Sequence, residues 1–282
     1  ITGTVGGDVK VGDTVTLTVN GHNATGQVID LGNGKLGYNI PVSSTDLKAD
    51  STVHASVTTT DSHGNSSTAT GSENYGLDLS APTVTIATTL AGDNIINAAE
   101  HNQPLTISGS TSGVEDGQKV DVVLNGTHYS ATVTNNSWTL DVPANDVAKL
   151  ANGQSYTITA DVSDKAGNPA PEASHDLSVD TAAPSAPTVV IATDANNDGF
   201  INKAEQGSAT TDTVNIGLPA DAKAGDTLNV TINGVAQPGH VLTAAEITAG
   251  QVVLTPAAPA EGGTLTVAAT ITDVAGNTSA QG

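Results

Sequence analysis

The chain has no cysteine, no methionine and no arginine, and it has a single tryptophan (Trp138) and a single phenylalanine (Phe200). Without cysteine there are no disulfides and no thiol chemistry. Small secreted domains often lean on disulfides, so a cysteine-free one needs another staple, and a metal ion is the obvious one. Basic residues are scarce. Eight lysines face 29 acidic residues, for a formal net charge of −21. Nucleic acid and anionic membrane surfaces are therefore poor partners, because phosphate binding needs a basic face. No stretch approaches the ~20 apolar residues that span a bilayer, so membrane insertion is not expected. No signal peptide is apparent at the start. The acidic balance has two readings: solubility, or carboxylates gathered around a divalent cation.

Apolar residues make up 37% of the chain and recur in clear alternation, which argues against disorder. A length of 282 residues suggests two or three domains. One landmark occurs three times: Gly12-Asp13-Thr14-Val15-Thr16-Leu17-Thr18-Val19-Asn20-Gly21 returns at 117–126 and at 225–234. Its apolar residues (Val15, Leu17, Val19; Val120, Val122, Leu124; Leu228, Val230, Ile232) fall at every second position, as on a half-buried strand. The closing Asn-Gly is the favoured pair for a tight hairpin turn.

A second landmark is a strand pattern ending in Asp-x-x-Gly-Asn, at Asp61, Asp164 and Asp273; the spacings are 103 and 109 residues. A third is a linker ending in Ala-Pro, led by Asp78 and by Asp180. Units of about 100 residues, many short strands and only brief helical stretches (146–151 and 202–206) predict β-sandwiches. The expected domains are 1–79, 80–182 and 183–282, the first and last incomplete at the outer ends. The chain does not open on methionine and is expected to be an interior piece of something larger.

One segment carries a metal-ligand pattern. Residues 194–205 match a twelve-residue calcium loop, with oxygen ligands at Asp194, Asn196 and Asp198, the turn glycine Gly199, the Phe200 carbonyl and the carboxylate of Glu205. A strand rather than a helix precedes it, so the loop is expected on a sandwich. The second unit has an eroded copy: Asp93 and Glu100 align with Asp198 and Glu205, but the first two ligand places are Thr89 and Ala91. Asp61 and Asp78, facing Asp93 and Glu100, and Asp164 and Asp180, facing the third unit, are candidates for calcium sites shared between domains. Ordinary turn chemistry is the other reading of these aspartates.

Catalytic signatures are missing: there is no Gly-x-Ser-x-Gly elbow, no His-Glu-x-x-His and no phosphate loop. The seven histidines show no paired ligand spacing. Trp138 reads as a core strand residue or, alternatively, as a sugar-stacking platform.

These motifs together resemble the bacterial immunoglobulin-like repeats of giant, type I-secreted, calcium-dependent adhesins and biofilm proteins. The resemblance rests on the Asp-x-x-Ala-Pro linkers, on Asp-Lys-Ala-Gly-Asn at 164–168 and Asp-Val-Ala-Gly-Asn at 273–277, on the Trp138-to-Pro143 strand and on residues 194–205. It covers essentially the whole chain. It implies an all-β fold of three tandem immunoglobulin-like β-sandwich domains in an elongated array. It also implies Ca2+ within and between domains, and a non-enzymatic extracellular stalk at the bacterial surface. The partners it implies are the neighbouring repeats, with host glycans or receptors met through the parent protein. The chain itself is expected to be monomeric. The alternative is a glycan- or protein-receptor-binding module.

Overall fold

The computed structural model describes every residue from Ile1 to Gly282. The chain falls into two compact units, Ile1–Ser80 and Ala81–Gly282. Its architecture is all-β, and three apolar cores are distributed along it.

In the first unit, the strands Thr2–Val5, Lys35–Asn39 and Ile29–Gly32 form one sheet. The other sheet is His22–Gln27, Thr14–Val19, Thr52–Thr60 and Ser66–Asn74. The alternating residues Val15, Leu17 and Val19 are buried between them, at no more than 1% exposure. The eight-residue buried core is completed by Val9, Val28, Ile40, Val53 and Val57.

The second unit contains two sandwiches. In the first of these, Ser137–Val142, Leu105–Ser112 and Thr83–Val84 lie opposite a five-stranded sheet. That sheet comprises Thr127–Thr132, Lys119–Leu124, Ser155–Asp161, Ala173–Val179 and the short Ile95–Ile96. Thr83–Val84 pairs with one sheet, and Ile95–Ile96 pairs in parallel with the other. The chain between them therefore crosses the end of the sandwich, and the eroded loop lies on that crossing. In the second of these sandwiches, Thr188–Ile191, Val214–Gly217 and Gln251–Leu254 form one sheet. Thr227–Ile232 is the hub of the other, paired with Val235–Ala236, His240–Val241 and Val267–Thr272. The two cores differ in size: 21 buried apolar residues in the second sandwich and nine in the third.

The hairpin landmark forms in all three copies. Asn20, Asn125 and Asn233 take φ of 51°, 49° and 52°, and the following glycines are also positive, which is the mirror-image turn that suits twisted strands. Helices are few and short. Ala144–Val147 and Lys203–Gln206 overlap the two expected stretches, and Ser44–Ala49 and Ala244–Ala249 add two that were not expected. None is long and apolar enough to cross a membrane.

Trp138 is 2% exposed, so it is a core residue and no platform for a sugar. Its ring lies over Gly109, its partner across the Leu105–Ser112 ladder. A methyl group at Gly109 would run into the Trp138 ring on one side and the Thr85 carbonyl oxygen on the other. Gly71, in the edge strand Ser66–Asn74, has open space where a methyl would go. Gly109→Ala is expected to cost about 1–3 kcal/mol by overpacking, and Gly71→Ala to be near neutral. Denaturant unfolding, followed for Gly109→Ala by Trp138 fluorescence, measures both; equal midpoints would show that the tryptophan has room to move.

Candidate functional site

The Asp-x-x-Gly-Asn turns share one wiring. The glycine takes a positive φ (87°, 95° and 91° at Gly64, Gly167 and Gly276), which only glycine adopts cheaply. The asparagine backbone N–H and side-chain N–H then both donate to the aspartate. Asn65 reaches Asp61 at 2.9 Å with each, Asn168 reaches Asp164 at 2.8 Å with each, and Asn277 reaches Asp273 at 2.8 and 3.0 Å. The Asn65 carboxamide and backbone amide, helped by the His63 amide, hold the Asp61 carboxyl below its ordinary range. The Asn168 carboxamide does the same for Asp164, against the opposing effect of burial.

The linker aspartates are wired differently. Asp78 accepts from the Ser80 N–H at 2.9 Å and Asp180 from the Ala182 N–H at 3.1 Å. The strand register separates them from the turn aspartates. Asp164 follows the end of Ser155–Asp161, whereas Asp180 follows Ala173–Val179, whose partner at that end is Ser155. Asp61 and Asp78 likewise lie at opposite ends of the Thr52–Thr60 and Ser66–Asn74 hairpin. The turn and linker aspartates of one sandwich therefore lie at opposite ends of its hairpin, whereas the sequence reading set both against the following repeat.

What does meet the eroded loop of the second sandwich is the turn of the third, which the sequence reading left out of the site. Asn277 is 4% exposed. Its Oδ1 accepts the Ala98 N–H at 2.8 Å, and its Nδ2 donates to the Asp180 carbonyl at 2.8 Å as well as to Asp273. The Asp180 N–H in turn donates to the Ile96 carbonyl at 3.0 Å. Loop, linker and turn are thus fastened together by one carboxamide. The signal for this was the Asn of the repeated motif, whose two-sided hydrogen-bonding capacity suits a junction.

The 194–205 loop occupies the same place on the third sandwich. Asp194 accepts from the Asp198 and Gly199 N–H groups at 3.1 and 2.9 Å, with Gly199 at φ 83°. Asn196 Oδ1 accepts the same Asp198 N–H at 3.1 Å, and its Nδ2 donates to Asp198 Oδ2 at 2.8 Å. Glu205 spans the loop, one oxygen accepting from the Asn196 N–H at 3.4 Å and the other from the Asn202 N–H at 2.9 Å. The Phe200 ring is 78% exposed.

No three histidine, aspartate or glutamate side chains are drawn to metal-ligand spacing. The donors of the 194–205 loop fit a hard cation in their chemistry, since all are oxygens on a short, positive-φ turn. In the second sandwich Asp93 accepts the Ile95 N–H at 2.9 Å, and Glu100 closes a capping box on the Asn97 N–H at 3.1 Å. Asn97 caps the Ala99 and Glu100 amides in return. Glu100 and Glu205 therefore share a structural task that needs no ion.

A hollow of about 610 Å³ lies in the first unit between its sheets; Glu73 is the only charged side chain on it, and Tyr38 and Tyr75 flank it. Three histidines pair with carboxylates at the surface: His22 with Asp46, His128 with Asp121 and His240 with Glu246.

No protein-family model matches the sequence, and no curated protein matches it. Solved structures do. A Ca2+-stabilized adhesin that helps an Antarctic bacterium reach out and bind ice is similar at 31% identity with a TM-score of 0.49. The match takes in all of this chain, which spans 66% of that one. A 1.5-MDa bacterial ice-binding adhesin is similar at 29% identity, over 99% of this chain and 86% of that one, with a TM-score of 0.46. A bacterial immunoglobulin-like domain from the M. primoryensis ice-binding adhesin is 30% identical over 36% of this chain and 98% of its own length, with a TM-score of 0.29.

Two outcomes follow from the turn chemistry. Asn277→Ala removes the partner of the Ala98 amide and should sharply raise its hydrogen-exchange rate, whereas Asn168→Ala should leave that amide protected; equal protection in both would show that Asn277 does not hold the junction. The lowered Asp61 and Asp164 groups contribute stability that is present above about pH 4 and lost as pH falls through their folded-state values. Asn168→Ala should therefore lower the Tm at pH 7 and flatten its dependence on pH below 4.

Proposed function

The chain belongs to the bacterial immunoglobulin-like repeats of large adhesins, and from that premise we propose that it is a calcium-rigidified extracellular stalk segment. Its role is mechanical: to hold a distal binding region away from the cell, with stiffness that depends on external calcium. The repeats are each other's immediate partners. Contact with a host glycan, receptor or other surface belongs to the parent adhesin. No step of this role requires catalysis.

One observation carries the proposal. The intact oxygen-donor loop at 194–205 closes a sandwich with only nine buried apolar residues, whereas the eroded copy closes one with 21. A small core gains most from a staple, and a cysteine-free chain has no covalent one to use. Calcium bound by Asp194, Asn196, Asp198, the Phe200 carbonyl and Glu205 would supply that staple and neutralise part of the net charge of −21. Asp61, Asp78, Asp93, Glu100, Asp164 and Asp180 are proposed as further oxygen donors for calcium. Trp138, the one residue that favoured a sugar-binding module, is enclosed in the core.

Calcium should stabilise the fold. A site with a dissociation constant of 10–100 μM in 1 mM calcium adds roughly 1.4–2.7 kcal/mol. Thermal melting in calcium and in chelator is the test, and superimposable curves would refute the proposal. Asp198→Ala should reduce the calcium-dependent rise and remove or weaken one site in a calorimetric titration.

A further inference from the structure

Asp212 is fully enclosed, at 0% exposure, and neither of its carboxylate oxygens has a hydrogen-bond donor. A buried carboxylate in that state is costly unless a cation or a proton donor reaches it. The protein offers neither: its own N–H is spent on the Pro256 carbonyl at 2.9 Å.

Its location identifies what is missing. The ladder that sets Val214 opposite Leu254 continues through the Thr211–Ala257 bridge. By alternation Asp212 shares the inward face of Val214 and Ile216, both fully buried. Its neighbour Thr213 is tied to the start of the 194–205 loop. The Thr213 N–H donates to Thr193 Oγ1 at 2.7 Å, and its carbonyl accepts the Ala192 N–H at 2.7 Å. Thr193 is the residue before Asp194.

The second sandwich shows the same place beside the eroded loop. Its ladder sets Ile107 opposite Leu140, as the third sets Val214 opposite Leu254. The inward positions at the start of the corresponding strand, Leu105 and Ile107, are both apolar and buried. Leu105 lines a cavity of about 190 Å³ together with Ile96 and Glu100, the counterpart of Glu205. A leucine thus accompanies the loop that has lost its first two ligand places to Thr89 and Ala91. A buried carboxylate accompanies the loop that keeps Asp194 and Asn196.

We propose that Asp212 is a ligand of the cation held by the 194–205 loop, supplied from the interior of the sandwich rather than from the loop. The inference rests on the calcium reading of that loop. It deepens that reading, because an ion held by Asp212 joins the loop to the core strand and couples calcium occupancy to the folding of the third sandwich. Calcium takes six to eight oxygens, and Asp212 raises the local count toward that number.

The test uses the full chain and calcium alone as the probe, with binding followed by calorimetric titration and folding by thermal melting. Asp212→Asn should weaken calcium binding at one site by at least tenfold. Asp212→Leu, which installs an apolar residue as on the inward face of the second sandwich, should raise the Tm in chelator while abolishing most of the calcium-dependent rise. That opposite movement distinguishes a ligand from a residue needed only for folding. Unchanged calcium affinity in Asp212→Asn, with Asp198→Ala weakened, would overturn the assignment and leave the loop reading intact. Unchanged affinity in both variants would overturn the loop reading and the assignment with it. A fall in Tm for Asp212→Leu in chelator would also overturn it, by showing that the carboxylate is satisfied without an ion.

Discussion

The carboxamide of Asn277 is the point on which the packing of the third sandwich against the second depends. A primary amide has two N–H donors and one acceptor oxygen, and here all three are used: one N–H on Asp273, one on the Asp180 carbonyl, and the oxygen on the Ala98 N–H. The first bond fixes the side chain, so the other two point outward at no further entropic cost. An aspartate at this position would have no donor for the Asp180 carbonyl. The same grip of asparagine on aspartate recurs at Asn65 and Asn168. The motif therefore works as a locked turn that presents a hydrogen-bonding group at the end of a sandwich.

Acidic residues at these ends carry structural tasks before any ion is considered. Glu100 and Glu205 both close capping boxes, with Asn97 and Asn202 as partners. Asp93 and Asp198 both accept the N–H two residues on. Survival of Asp93 and Glu100 in the eroded loop is explained by these bonds alone. What separates the two loops is the first half, where Asp194 wraps the Asp198 and Gly199 amides and the second sandwich has Thr89 and Ala91.

The strands and cores were legible because alternation over short runs has one structural solution when one face is buried. Val15, Leu17 and Val19 and their counterparts are buried as that pattern requires, and the Asn-Gly turns follow from positive φ. The helix Ala244–Ala249 was missed although its signature is in the sequence: Thr243 and Glu246 form a capping box and Gly250 ends the helix in the left-handed region. That Asp164 and Asp180 do not share one end of their sandwich has a topological reason. Asp164 and Asp180 are only sixteen residues apart in sequence. One lies at the closed end of an antiparallel hairpin and the other at its open end, so strand length keeps them apart. The Trp138–Gly109 contact and the enclosure of Asp212 were not legible at all, because both depend on which residues face each other across a ladder.

The second and third sandwiches close the same end in two ways. In the second, Leu90, Ile96, Leu105 and Val147 extend the apolar core into the crossing loop, and the loop has no need of a complete ligand set. In the third, the core cluster is smaller, nine buried apolar residues against 21, and a charged group, Asp212, stands on the inward face. Apolar burial stabilises at about 25 cal/mol per Å², independent of the medium's ion content. An ionic closure stabilises only when the ion is present. Two sandwiches that share the repeated motifs thus differ in how they close this end. On the proposed calcium reading, the stability of the third sandwich would follow the calcium concentration around it.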